Sequence, residues 1–280
     1  NPNTSERTIS WVINDGTDAS ASTSSTITLI AVNDAPVISE ASGSLTFTEN
    51  DGDSVIDSSI TITDDDDTNI DSAIVSISDG YISAEDILTF VDTSVITAIW
   101  NSDTGELSLS GSDTLTNYKA ALESVTYNNT SDNPNTSERT ISWVINDGTD
   151  ASASTSSTIT IAAVNDAPIA SGNSTLTTVA EDSNDPTGDT VANIFGSYFS
   201  DNDDDALKAV AITSNATDTD TEGTWEYLTD YGSSWITISS IGLSEESALY
   251  LNSSALVRFL PVDNYYGTLG DLTARLIDSS

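Results

Sequence analysis

Apolar and polar residues alternate along much of the chain. In the segment from Thr8 to Ile13, Ile9, Trp11 and Ile13 are interleaved with Thr8, Ser10 and Val12. That period of two marks a strand buried on one face. Asn14-Asp15-Gly16 supplies a turn, and residues 25–32 form a second run rich in Thr and Ile. Two strands are marginal in water, so residues 1–35 are expected to be the closing strands of a preceding repeat. The pattern continues through residues 36–167, with strands predicted at 44–48, 55–63, 73–78, 87–91, 96–100 and 106–110. Asn101 to Gly105 has the polar, Gly-ended chemistry of a hairpin loop between the last two. Residues 115–122 alone suggest a helix, with Asp113 or Thr114 as its N-cap. Val125 and Tyr127 open another strand, and strands around Trp143 and Ile159 close the set. Eight or so short strands separated by turn signals predict an all-β, antiparallel Greek-key β-sandwich.

The pattern also repeats at long range. VNDAPV at Val32 to Val37 returns 132 residues later as VNDAPI at Val164 to Ile169. Residues 1–36 and 133–168 align without a gap, differing only at Leu29/Ile161 and Ile30/Ala162. A long period of this kind implies an array of domains joined end to end. Residues 168–280 begin with the same punctuation and then diverge. Strands are predicted on either side of an Asp230-Tyr231-Gly232 turn within 223–239, and again at 255–260 and 272–277. The closing ARLIDSS resembles the VINDGTD strand of the complete repeat, which suggests a sandwich short of its last strand. Three parts are expected: 1–35, 36–167 and 168–280.

Composition narrows the function. Six Lys and Arg stand against 45 Asp and Glu, a net charge of −39. Such a surface repels nucleic acid and anionic membranes, whose phosphates need cationic partners. It also repels itself, so bound divalent cations or a salty medium should offset the repulsion. With no Cys and no His, disulfides, thiolate sites, Ser–His or Cys–His catalysis and the usual zinc ligands are excluded. No stretch approaches the ~18 apolar residues of a membrane span. A secreted bacterial protein stapled by metals fits this profile.

The acidic residues cluster at the punctuation. Glu49 follows Pro36 by 13 residues, and Glu181 follows Pro168 by the same interval. An Asp run comes next in each case, Asp64 to Asp67 with Asn69 nearby, and Asp201 to Asp205. Asn33-Asp34 and Asn165-Asp166 precede them, and Asn146-Asp147 with Asp150 forms a further group. Calcium takes six to eight oxygens from carboxylates, amides and carbonyls, and a sandwich can gather linker, first-strand end and loop at one pole. Solvated turns are the competing reading of the same clusters. An EF-hand is excluded, because no Glu stands 11 residues after Asp64 or Asp201.

VNDAP, the Thr48-Glu49-Asn50 triplet and the run from Ile62 to Asn69 resemble the bacterial cadherin-like tandem repeats of large secreted, RTX-type adhesins. The resemblance covers the whole chain and implies elongated arrays of cadherin- or immunoglobulin-like sandwiches with calcium at their junctions. It implies Glu49, Asp64, Asp66, Asn33 and Asp34 as ligands at one junction, and Glu181, Asp201, Asp203, Asn165 and Asp166 at the other. Asn69 and Asp147 are further candidates. Ala31 and Ala163 stand where cadherins place a leading Asp, and Ala35 and Ala167 where they place a closing Asn, which implies fewer ions per junction.

Two further readings remain. Trp225, Tyr227, Tyr231, Trp235 and Tyr265-Tyr266 are either core residues or a glycan platform in the last domain. The ragged ends are either plain truncation or complementary halves, with one chain's first strands completing another's last domain in a filament. No pair of carboxylates stands out for catalysis. The expectation is a non-enzymatic extender on the bacterial cell surface, its partners being neighbouring repeats, identical chains or surface glycans.

Overall fold

A computed structural model describes residues 2–230 and 232–280. The fold is all-β, and the chain divides into two compact units, Asn1–Val164 and Asn165–Ser280.

The first unit opens with β1 (Arg7–Trp11) and β2 (Thr23–Ile27), an antiparallel hairpin. Then follow β3 (Val37–Ser39), β4 (Ser44–Thr48), β5 (Ser54–Val55), β6 (Thr61–Thr63), β7 (Asn69–Asp79), β8 (Asp86–Thr89), β9 (Thr97–Asn101) and β10 (Glu106–Thr114). After α1 (Leu115–Leu122) come β11 (Thr126–Asn129), β12 (Arg139–Asn146) and β13 (Thr155–Ala162). One sheet has the order β4-β13-β12-β7-β10-β9 and the facing sheet β5-β11-β8. Every neighbour in the first sheet is antiparallel except β4, which runs parallel to β13 with Ile161 opposite Phe47. Phe47 crosses to the facing sheet, where its ring meets that of Tyr127 edge-on at 5.1 Å. Ile141, Trp143, Ile145 and Ile159 fill the interior between the sheets.

The helix forms where it is expected. Thr114 Oγ1 accepts from the Asn117 amide, satisfying one of the first-turn donors. The predicted single strand over 55–63 is instead split into β5 and β6. The cause is Asp57, which is 4% exposed. Its carboxylate accepts from the Gly43 and Ser59 amides and from the hydroxyls of Ser59 and Ser157. A buried carboxylate must have its partners, and here they draw the backbone off the ladder. The β1–β2 hairpin is exposed throughout although its sequence matches that of β12–β13. Trp11 is 53% exposed and Trp143 is 0%, yet each indole N–H reaches the equivalent Ser hydroxyl, Ser25 or Ser157.

The second unit contains β14 (Ile169–Ala170), β15 (Asp189–Thr190), α2 (Val191–Phe195), β16 (Phe199–Ser200), β17 (Ala209–Asn215), β18 (Gly223–Leu228), β19 (Ile236–Thr237), β20 (Leu249–Asn252), β21 (Leu256–Pro261) and β22 (Leu272–Ile277). A sheet ordered β15-β21-β18-β19 and another ordered β20-β17-β22 enclose a core that includes Val210, Ile212, Trp225 and Val257. The expected strand pair within 223–239 is present as β18 and β19. The turn expected between them includes Tyr231, which lies outside the described residues. The α2 helix is absent from the sequence expectations, but its signal is there. Asp189-Thr190 with Asn193 repeats Asp113-Thr114 with Asn117, and both sets make the same cap and the same Asn-to-Asp hydrogen bond.

Candidate metal centre

In the first unit, Val37 of β3 pairs with Thr63 of β6, so the entering chain and the loop that starts at Asp64 emerge at one end. The Asp64 Oδ1 atom accepts from the amides of Asp66 and Asp67 at 3.0 and 2.8 Å, which curls the loop inward. Asp64, Asp66 and Asp67 each offer a carboxylate oxygen, and these lie within 4.8 Å of one another. The amide of Asp34 donates to both Asp66 carboxylate oxygens at 3.2 and 3.3 Å, fastening the linker to the loop. Asn33 Nδ2 donates to Asp147 Oδ2 and Asp150 Oδ2, both at 3.0 Å, which brings in the turn between β12 and β13.

Charge crowds this end. Desolvation raises the Asp67 carboxyl above its ordinary pKa, and the charges of Asp64, Asp66, Asp147 and Asp71 push it further. For Asp147, desolvation pushes the same way, but hydrogen bonds from Asn33, Asp150 and Thr149 outweigh it and the pKa is lowered. Asp64 Oδ2 is buried and has no hydrogen-bond partner. A buried acceptor without a partner costs about 1–3 kcal/mol, more when it is charged. That orphaned oxygen fits a cation, as does a donor set made of hard oxygens alone.

The second unit repeats the arrangement. The Asp166 amide donates to Asp203 Oδ2 at 2.6 Å, and the Asp203 amide to Asp201 Oδ1 at 2.9 Å. Asn202 Nδ2 reaches Asp166 Oδ2 at 3.1 Å. Asn165 Nδ2 bonds the Asp166 carbonyl, as Asn33 Nδ2 bonds that of Asp34. Asp201 Oδ2, the counterpart of Asp64 Oδ2, is likewise buried without a partner. Among the described residues these two carboxylate oxygens are the buried side-chain atoms left unpaired.

Some of the expected ligands are not brought to the cluster expected for them. Glu49 is 5% exposed; its amide donates to the Ala162 carbonyl and its Oε2 accepts from the Val164 amide, both at 2.8 Å. It therefore stands where β13 ends, while Asp147 and Asp150 stand before β13 begins. Eight strand residues at ~3.3 Å each place the two ends roughly 26 Å apart. Sequence spacing joins Glu49 to Asp64, but the strand register puts them at opposite poles. Glu181 is exposed and borders a cavity of the second unit instead. Asn69 opens β7 with an exposed side chain, facing Thr114 in the register. Asp67 and Asp150, expected only as members of the acidic runs and not as individual ligands, join the first cluster. The run of four Asp and the NDGTD turn were visible, but only folding shows which members point inward.

Of the aromatic residues of the second unit, Trp225 is buried, Tyr227, Trp235 and Tyr265 are half-buried, and Tyr266 is 88% exposed. Trp225 is 7% exposed, donates to Thr217 Oγ1 at 3.0 Å and meets Phe259 edge-on. The Arg258 guanidinium covers the Trp235 ring at 4.0 Å. A glycan platform on these rings gains no support from that arrangement.

The Asp67 shift has a testable sign. Its folded-state pKa lies above the ordinary value of 3.8, so its charge opposes folding. That penalty is absent below pH 3.8 and grows as pH rises through the folded-state value. Metal-free Asp67→Asn protein should therefore melt higher than the parent at pH 7, the difference vanishing in acid. Scanning fluorimetry in chelator across pH 3–8 would read this, and an unchanged or lower melting point at pH 7 would refute it.

No family model matches the chain. It is 34% identical over 136 residues to Halomucin of Haloquadratum walsbyi, a match covering 45% of this chain and 2% of that protein. Among solved structures, the extracellular cadherin domains 1–5 of Protocadherin Gamma B2 align with 86% of the chain and 41% of their own, at 14% identity and a TM-score of 0.32. Domains 3–6 align with 88% and 56% at 13% identity and a TM-score of 0.26. Among the described residues no helix is long and apolar enough to cross a membrane, which says nothing of a β-barrel. The chain is thus similar to a short part of a very much longer protein.

Proposed function

We propose that the chain is an extracellular structural segment of a large surface protein, in which calcium stiffens the entry to each domain. The supporting observation is the repeated one. In two units of otherwise different sequence, a linker Asp is tied by its amide to a loop Asp. That Asp is tied to the first Asp of the loop, whose second oxygen is buried and unpaired. Turns that water alone solvates have no reason to bury the same oxygen twice.

Asp64, Asp66 and Asp67 would hold the ion in the first unit, and Asp201 and Asp203 with Asp166 in the second. Calcium supplies positive charge and a flexible coordination shell of six to eight oxygens. The chain's own residues do the rest. Asp34 and Asp166 hold their linkers against the loops, Asn33 holds the Asp147–Asp150 turn, and the clustered carboxylates lose their mutual repulsion when a cation is present. Each linker is then fixed on the domain it enters. A net charge of −39 is tolerable under the same conditions. The task is mechanical and needs no catalytic group.

Calcium titration with thermal melting tests this. At 100 times the dissociation constant, a ligand of the folded state alone adds about 2.7 kcal/mol. For a unit of 150–250 residues that is a rise of roughly 5–11 °C. Sodium chloride at matched ionic strength should give less, and Asp64→Asn should remove the rise in the first unit. Equal responses to millimolar calcium and to matched salt would sink the proposal.

A further inference from the structure

We propose that the outer face of the six-stranded sheet in the first unit is an interface to a second copy of this chain, met face to face. The sheet is β4-β13-β12-β7-β10-β9, and every strand of it lies within residues 44–162. Its inward positions, among them Val75, Leu107 and Trp143, are core. The positions between them point outward, and the register sets them in rows across the strands. One row is Val144, Ile74, Ser108 and Ile99, on β12, β7, β10 and β9. Ile74 is 41% and Ile99 74% exposed, and Val144 is half-buried. A single exposed aliphatic residue needs no explanation, but three in one row make an apolar stripe on the surface. The rows on either side carry Ser, Thr and Asn, with Glu106 as their one charged side chain. β13 and β4 extend the face with the hydroxyls of Thr158, Thr160, Ser44 and Thr46.

Charge and area together select the occupant. The chain carries 45 acidic against six basic residues, so two copies repel wherever their acidic loops meet. A face with one acid in three rows is where two such molecules can close on each other. A basic partner finds only Glu106 there, and its Oε1 already accepts from the Ser108 hydroxyl. At ~4.8 Å between strands and ~3.3 Å per residue, six strands of at least five residues present a face of roughly 29 by 17 Å. Two copies then cover close to ~1,000 Å², the lower bound of a specific contact. The facing sheet has three strands and offers half that width. Stacked sheets lie ~10 Å apart, and small Ser and Thr side chains let the stripe of one copy seat against that of the other. The same patch serves both copies, so the contact is two-fold and closed.

Sedimentation equilibrium in chelator over a concentration series reads the association independently of whether calcium binds. The mass should rise toward a dimer, and at lower protein concentration in about 1 M salt, where repulsion between the loops is screened within ~3 Å. A contact held by ion pairs would respond in the opposite sense. Ile99→Glu changes an exposed position and enters a two-fold contact once from each copy, so it should weaken association roughly tenfold or more. The chain has no Cys, so a single introduced thiol reports its own surroundings. A short thiol crosslinker should join two copies of Ser108→Cys, in the middle of the stripe, but not of Val55→Cys, exposed on the facing sheet. A monomer at every concentration overturns the proposal. Association that salt weakens, or that joins Val55→Cys as readily as Ser108→Cys, overturns this face as the contact.

Discussion

Trp143→Ala should cost the first unit about 3–5 kcal/mol, the usual penalty for emptying a core aromatic site, whereas Trp11→Ala should change stability by less than about 0.5 kcal/mol. The comparison is unusually clean because the 36 residues around the two tryptophans differ at two positions only. Propensity, local pattern and even the indole-to-serine hydrogen bond are shared. What differs is the opposite wall. Trp143 lies in the interior lined by Phe47, Leu88 and Tyr127, and Trp11 faces solvent. Denaturant midpoints for the two variants would measure the contrast. Equal losses at the two sites would mean that the hairpin is buried in solution.

Arg139→Met is expected to cost a similar amount, about 3–5 kcal/mol, through a different mechanism. Arg139 is 0% exposed and its guanidinium holds Asp86 through Nε at 2.9 Å and Nη2 at 3.2 Å. Asp86, 1% exposed, also accepts from Tyr127 at 2.6 Å, Asn129 at 3.1 Å and the Ile82 amide at 2.8 Å. Burial, and then the hydrogen bond to Asp86, push the Tyr127 phenol well above its ordinary range. With Arg139 gone, a buried carboxylate keeps neutral donors but loses its countercharge. Adding Asp86→Leu removes the uncompensated charge but should leave part of the loss in place, because the Tyr127 hydroxyl, the Asn129 amide and the Ile82 N–H then lose their acceptor. Arg7→Met, at the sequence twin, should do nothing measurable, because Arg7 is exposed and, among the described residues, bonds only the nearby carbonyls of Ser5 and Asn3. A loss below about 1 kcal/mol for Arg139→Met would show that the pair is not needed.

The candidate site was only half legible. The linker Asn-Asp pairs and the Asp runs stand out because they are contiguous and polar, and the fold brings them together within each unit. Glu49 looked like their partner because its distance from Pro36 recurs at Glu181. Its place is set by β4 lying parallel to β13, a pairing between residues 114 positions apart, such as Ser44 and Thr158. Nothing near Glu49 encodes that partner. The split of the 55–63 strand has the same origin, since Asp57 finds Ser157 100 residues away. The α2 helix was legible after all, in a cap motif shared with α1.

The sequence by itself determined the all-β class, the hairpin registers, the caps and the collection of acids at the linkers. These depend on period-two alternation, turn chemistry and neighbours within a few residues, and such effects act before any long-range contact forms. Only the tertiary structure decided which strands face one another across the core of each unit. It likewise decided which pole each carboxylate occupies and which Asp oxygens are sealed from water. Burial belongs to two surfaces at once, and one strand carries only its own half of that information.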